Sequence, residues 1–391
     1  FAIGEVPNLL YVRDGLAISL IAYVFFRRLV VQQWIHGPIA ILTLLLGVHF
    51  FQSLFIGASI FQALFGLKMY VPVVLGFAIW PVIATRRIQT VYVMLFFFLV
   101  SVLGVFLNYF YGLLPWEAFE YETAFGRVES TKEWWIQGGI RRLSGFSRGS
   151  PHVAAIIGIT GGFALAIMKT TLIRIFIALI GFIAILLTTS KGMLLAFSAV
   201  SLWLVISTLR DSLTLGKLIL ISFVLFTISL PLSSLVVDFG NARDLPYLLS
   251  SFWDRLDWMW PNAFGLLDSP ISAVIGNGLG AIGTPQLYGS QPALINAGDN
   301  LFVYLYVTFG FMSLMYLLFP VFMAFRLSNH NLELKRCYIA ILAAIIGYGV
   351  TTNMIEQPFI MVVYGCLCAV AIESLFCERT GRMREDNHVE G

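Results

Sequence analysis

The chain alternates long apolar runs with short polar breaks, and few of the runs are one-sided. Residues 91–107 and 218–237 are apolar nearly all the way round, over close to a bilayer thickness. A helix in a water-soluble core needs only one apolar face. Runs of spanning length fall at about 15–26, 38–58, 69–85, 88–110, 152–168, 171–188, 192–209, 217–237, 300–325, 337–354 and 358–377. They predict an all-α, polytopic transmembrane bundle of about eleven spans, forming one integral membrane domain over residues 1–391. The polar end, about 378–391, is expected to be a disordered tail. The first residue is Phe1, so an upstream segment is expected; no cleavable signal peptide is visible.

Composition agrees with the pattern. Hydrophobic residues make up 59% of the chain and charged residues 12%, with a mean hydropathy of +0.87. A soluble domain carries about a quarter charged residues. The net charge of +3 is spread in pairs between apolar runs, so nucleic acid is not an expected partner. Cys337, Cys366, Cys368 and Cys377 all lie late in the chain and outside its two long polar stretches. Neither a disulfide framework nor a metal knot is expected, and no cofactor.

Charge then orients the bundle. If the breaks alternate sides, one side receives Arg27, Arg28, Arg86, Arg87, Lys169, Arg174, Arg210, Lys217, Arg326, Lys335, Arg336, Arg379, Arg382 and Arg384, mostly in short loops or beside span ends. By the positive-inside rule that side is cytoplasmic. The opposite side holds two long loops, about 112–151 and 238–299, expected to contain short amphipathic helices. In the second, SSFWDRLDWMW at 250–260 places Phe252, Leu256 and Trp260 on one side of a helix, as a surface-lying segment would. Headgroup anchoring accounts for the tryptophans but not for Arg255.

Polar chemistry collects on these loops. RRLSGFSRGSP at 141–151 sets Arg141, Arg142 and Arg148 among glycines and serines directly before a span. That composition suits a diphosphate, and equally lipid headgroups. Lys191 sits on the tight tip Thr188–Gly192, where it either snorkels to the interface or faces a polar cavity. IGNGLGAIG at 275–283 has no βαβ context and reads as a compact loop allowing close backbone approach, not a nucleotide fingerprint. Asp299, followed by Asn300, stands before the next run, as a helix cap or as a general base. His49 and His152 have no partners at metal-ligand spacing.

Taken in order, three pieces resemble the O-antigen polymerase and O-antigen ligase family of bacterial envelope glycosyltransferases. They are Arg142 and Gly145 followed by Pro151; Thr189, Ser190, Lys191 and Gly192; and the run from Phe252, Trp253, Asp254 and Arg255 through Gly276, Gly278 and Gly280 to Asp299, Asn300 and Gly310. The resemblance covers about 141–310. It implies metal-independent transfer of a glycan from an undecaprenyl-diphosphate carrier to a sugar hydroxyl, at the periplasmic face of the bacterial inner membrane. Donor and acceptor would both be carrier-linked oligosaccharides, in contact with membrane lipids and with a chain-length regulator as a further partner. Asp299 would be the base and Arg142 the principal catalytic cation, with Arg148, Lys191, Arg255, Arg141 and Asn300 binding diphosphate or substrate. Ligases of the family carry histidine where this chain has Asp299, which favours the polymerase over transfer to a lipid A core. A lipid-carrier flippase is the alternative from another class, and an oligosaccharyltransferase acting on protein would need a longer outer domain.

Overall fold

The computed structural model describes residues 15–24, 37–115, 117, 120–123, 126–129, 134–136, 140–207, 213–237, 247–289, 296–327 and 332–389. Within them the chain is almost wholly helical. The first part comprises α1 (Gly15–Val24), α2 (Gly37–Phe55), α3 (Ile60–Thr85), α4 (Arg87–Tyr111), α5 (Ser150–Ile167), α6 (Thr171–Leu187), α7 (Lys191–Ile206) and α8 (Leu213–Ser233). After it come α9 (Tyr247–Asp254), a π turn (Arg255–Met259), α10 (Trp260–Phe264), α11 (Pro270–Ile275) and a 3-10 turn (Thr284–Tyr288). The chain ends with α12 (Leu301–Phe309), α13 (Met312–Arg326), α14 (Leu332–Gly349) and α15 (Pro358–Val389). Helix α15 thus continues to Val389, within the stretch expected to be a disordered tail. Arg27, Arg28 and Arg210, used above to orient the bundle, lie outside the described residues.

Helices α3, α4, α5 and α8 are long and apolar enough to cross a membrane, and α6, α7, α13 and parts of α2 and α15 are shorter apolar helices. The large side chains on the outside are apolar too, among them Phe55, Phe110, Leu172, Phe176 and Leu225. In water such a surface would be an aggregation liability; in an apolar solvent it is stable.

The first long loop differs from expectation. Where amphipathic helices were expected it holds two antiparallel hairpins, β1 (Glu120–Thr123) with β2 (Gly126–Glu129) and β3 (Trp134–Ile136) with β4 (Ile140–Arg142). Only residues 124 and 125 separate the first pair of strands, the length of a tight hairpin connection and too short for a helical turn. In the second loop the helix at 250–260 is present, but it is docked on the bundle. Leu256 and Trp260 are buried, and Phe252 meets Trp260 edge-on at 5.9 Å between ring centroids. Trp260 is therefore a core residue, not a headgroup anchor; Trp258 is exposed.

Helices α14 and α5 form the centre. Helix α14 packs on α5, α7 and α8, while α5 also meets α4, α6 and α7. Small residues permit this: Gly158 of α5 lies against Met193, and Gly161 against Phe98 and Phe197. With apolar surface on both sides of each helix, close van der Waals packing, more than expulsion of water, decides which faces meet. Helices α3 and α15 pair in the same way, Gly76 against Val362 and Gly365 against Val73.

The run expected as one span at 300–325 is broken at Gly310. Its φ of +57° takes the backbone out of the helix, and the segment 274–278 fills the break. Asn277 N and Gly278 N donate to the Val307 and Thr308 carbonyls at 2.8 and 2.9 Å, and Phe311 N donates to Val274 O at 2.9 Å. The carbonyls that a helix end leaves unpaired are thereby satisfied. From the other side Gln52 Nε2 donates to the carbonyls of Ile275 and Gly276, at 2.9 and 2.8 Å. The glycine-rich stretch is thus a close-approach loop, as its composition implied.

The two ends of the bundle differ. At one end, Arg87 pairs with Glu333 at 2.7 Å, and Lys335 Nζ donates to Leu327 O at 2.6 Å. There Arg174 caps the end of α7 by donating to Leu204 O at 2.6 Å. The residues picked out as candidate chemistry lie at the opposite end.

Candidate functional site

The segment before α5 is fixed by a buried carboxylate. Glu117 accepts hydrogen bonds from Asn108 Nδ2, Leu114 N and Ser144 Oγ, each at 2.8 Å. Asn108 Oδ1 in turn accepts from Ser144 N and Gly145 N, at 3.0 and 3.1 Å. Arg141 joins the same network, donating to Gly112 O at 2.7 Å and Asn108 O at 3.2 Å and lying 3.7 Å from Glu117. Its guanidinium is engaged in holding the segment, whereas a substrate contact was expected of it. Arg148 lies on an exposed bend just ahead of α5.

This clamp sets where Arg142 points. Replacing Glu117 by alanine leaves Asn108, Ser144 and the Leu114 amide without their acceptor, at a cost of about 1–3 kcal/mol for a buried group left unpaired. The expected result is faster hydrogen exchange at the amides of 141–147 with α14 unaffected. Unchanged exchange there would remove Glu117 from this role.

Arg142 reaches the hairpin tip between α6 and α7, where its Nε donates to Thr189 Oγ1 at 2.9 Å. Among the described residues Thr189 is the one non-glycine with positive φ, at 59°. For a β-branched residue this backbone is strained, and such strain tends to be kept at functional sites. The tip also carries Lys191, whose Nζ lies 3.5 Å from Ser251 Oγ on α9 and is near enough to Arg142 and Arg255 to feel both as like charges. Lys191 is exposed beside these cations.

Arg255 opens the π turn. One extra residue in the turn breaks the helical register between α9 and α10, and such bulges are frequent at functional sites. Arg255 Nη2 pairs with Asp299 Oδ2 at 3.0 Å and Nη1 donates to Ser251 O at 2.6 Å. Its Nε is buried without a partner among the described residues. An unpaired buried donor on a guanidinium otherwise held in place is suited to an anionic oxygen.

Asn300, not Asp299, caps α12. Its side chain accepts from Val303 N at 3.0 Å and its Nδ2 donates to Thr227 O and Val350 O, at 3.1 and 3.0 Å, with the residue fully buried. The expectation that Asn300 contacts substrate is corrected by this geometry, since its polar atoms are occupied. The capping role considered for Asp299 falls to its neighbour, which leaves the Asp299 carboxylate facing Arg255.

One residue of the site was not picked out from the sequence. Glu356, in the loop joining α14 to α15, accepts from Thr284 N at 2.7 Å and from the Thr284 hydroxyl, and it interacts with Asp299. Burial pushes its carboxyl above the usual carboxylate range, and the nearby Asp299 adds to that; bonds from Thr284 and Asn353 oppose it. The available signal was a lone carboxylate in a short break between two apolar runs, at the end away from the arginine pairs.

No group of histidine, cysteine or carboxylate side chains among the described residues is arranged to hold a metal ion. Comparison with protein-family models, curated proteins and solved structures gives no match. Fold and site together define a class: an all-α chain with several membrane-length apolar helices and a cationic cluster, edged by two carboxylates, at one end.

Proposed function

We propose that the protein is a metal-independent glycosyltransferase of the bacterial inner membrane, acting on glycans carried by undecaprenyl diphosphate at the periplasmic face, and that it polymerises repeat units. The observation that carries this reading is the convergence of Arg142, Lys191 and Arg255, three chain-distant cations, beside Asp299. Like charges brought together repel, and an anionic ligand relieves that repulsion. A departing diphosphate is such a ligand, and preorganised cations stabilise it as its charge develops. Arg148, on its exposed bend, would meet the carrier's headgroup or the incoming glycan. The acceptor hydroxyl needs a carboxylate to take its proton, and Asp299 and Glu356 border the cluster. The resemblance of residues 141–310 to the O-antigen polymerase and ligase family points the same way, and the positive-inside rule puts this end of the bundle outside.

The test uses the purified full chain in lipid, with lipid-linked oligosaccharide extracted from cells deleted for it. A ladder of lengthening products is the expected result. Single transfer to lipid A core would make it a ligase, and no transfer would end the reading. A second reading, translocation of the carrier across the bilayer, is favoured by the helix break at Gly310, where His49 packs on Phe309 at 4.5 Å and contacts Tyr316. Vesicles loaded with the same extract would support it by exposing the glycan without lengthening it.

A further inference from the structure

The two carboxylates at the edge of the cluster have different surroundings. Asp299 is bound by a guanidinium at 3.0 Å. The pair commits Asp299 Oδ2 to aiming the Arg255 guanidinium. Among the described residues, the groups that act on Glu356 include no cation. From the 3-10 turn it meets Thr284, from its own loop Asn353, from the stretch before α12 Asp299, from α12 Tyr304 and from α3 Tyr70. Of these only Asp299 carries charge, and its sign is the same.

The surroundings of Glu356 are also built to hold it in one place. The Thr284 amide and hydroxyl each bind one of its oxygens and Asn353 adds a third bond, so the carboxylate plane is fixed while a lone pair remains to accept a proton. At Gly283, where φ is +81°, a Cβ would lie 2.1 Å from Glu356 Oε1, so a side chain there would displace the carboxylate. Residue 283 is tied to the stretch before Asp299 by Gly283 N donating to Asn296 O at 2.9 Å. This bond links the backbone that holds Glu356 to the stretch that carries Asp299.

Resting on the transfer reaction above, we propose that Glu356 is the general base and that Asp299 is a positioning residue that holds Arg255 against the diphosphate. In the step, the acceptor hydroxyl gives its proton to the Glu356 carboxylate as its oxygen bonds to the anomeric carbon. The bond from that carbon to the diphosphate oxygen breaks, and its electron pair leaves on the diphosphate, where Arg142, Lys191 and Arg255 receive the charge. The proton passes from Glu356 to water after the product departs. Two carboxylates in unlike surroundings commonly divide the work of a site in this way.

The pH dependence follows in sign. A base raised above the ordinary carboxylate range is active when deprotonated, so the rate should fall as pH drops through the raised Glu356 value. The experiment compares wild type, Glu356→Gln and Asp299→Asn in lipid, measuring chain extension against pH and binding of farnesyl diphosphate. Glu356→Gln is expected to slow extension by about 10²–10⁴-fold, to lose the acidic limb of the profile, and to bind farnesyl diphosphate like wild type, which also shows that it is folded. Asp299→Asn is expected to be slower, to keep the acidic limb and to bind the probe differently. Full extension by Glu356→Gln, or an acidic limb that disappears only in Asp299→Asn, overturns this assignment while leaving the transferase reading intact. A wild type that binds the probe but extends nothing overturns the transferase reading, and the base with it.

Discussion

Replacing Arg142 by alanine is expected to lower glycan extension by about 10²–10³-fold, the usual loss when one donor to a developing negative charge is removed. Farnesyl diphosphate binding should weaken in parallel. The guanidinium is held through Nε by Thr189 Oγ1 at 2.9 Å, so its position depends on the strained tip as well as on the Glu117 clamp. Lysine at 142 should not rescue, because an ammonium has neither the Nε donor nor the planar fork. Near-normal binding and extension by a folded Arg142→Ala protein would remove Arg142 from the diphosphate site.

The largest effect on stability is expected at Gly310. Valine there would put a Cβ 2.2 Å from Val274 O and 2.6 Å from Gly276 N, on a backbone with φ of +57°. A left-handed β-branched residue costs about 1–2 kcal/mol, and overpacking adds about 1–3 kcal/mol. The backbone bonds that 274–278 makes to α12 would be strained as well. Thermal unfolding in detergent should show a clear loss, with Gly310→Ala intermediate. Valine tolerated without a shift would mean that the break is not braced by the loop.

The helices were legible because the length and apolarity of a run need no knowledge of its partners. The clustering of Arg142, Lys191, Arg255 and Asp299 was legible only through the order of three motifs, each weak by itself. What the sequence did not reveal depended on tertiary contacts. Asp299 and Asn300 are both good caps, and only the packing of Asn300 between Thr227 and Val350 decides between them. Arg141 and Arg142 look alike along the chain, yet the β4 backbone sends one into the Glu117 network and the other to Thr189. The break at Gly310 was hidden because an apolar run reads as continuous until its glycine takes a positive φ. Glu356 was missed because it has no motif around it; its surroundings come from Thr284, which is 72 positions away in sequence.

The π turn at Arg255–Met259 has a consequence for chain length. Trp260, buried at its end, fixes the phase of the helix that follows. The π turn already takes up one residue more than an α turn, but a further residue inserted beside the exposed Trp258 would have no bulge to absorb it, and at about 100° per helical residue it would swing Arg255 by about that angle about the axis. Arg255 would then face away from Asp299 with every charge in the site still present. In this helix, residue count controls the aim of Arg255 as strictly as residue identity does.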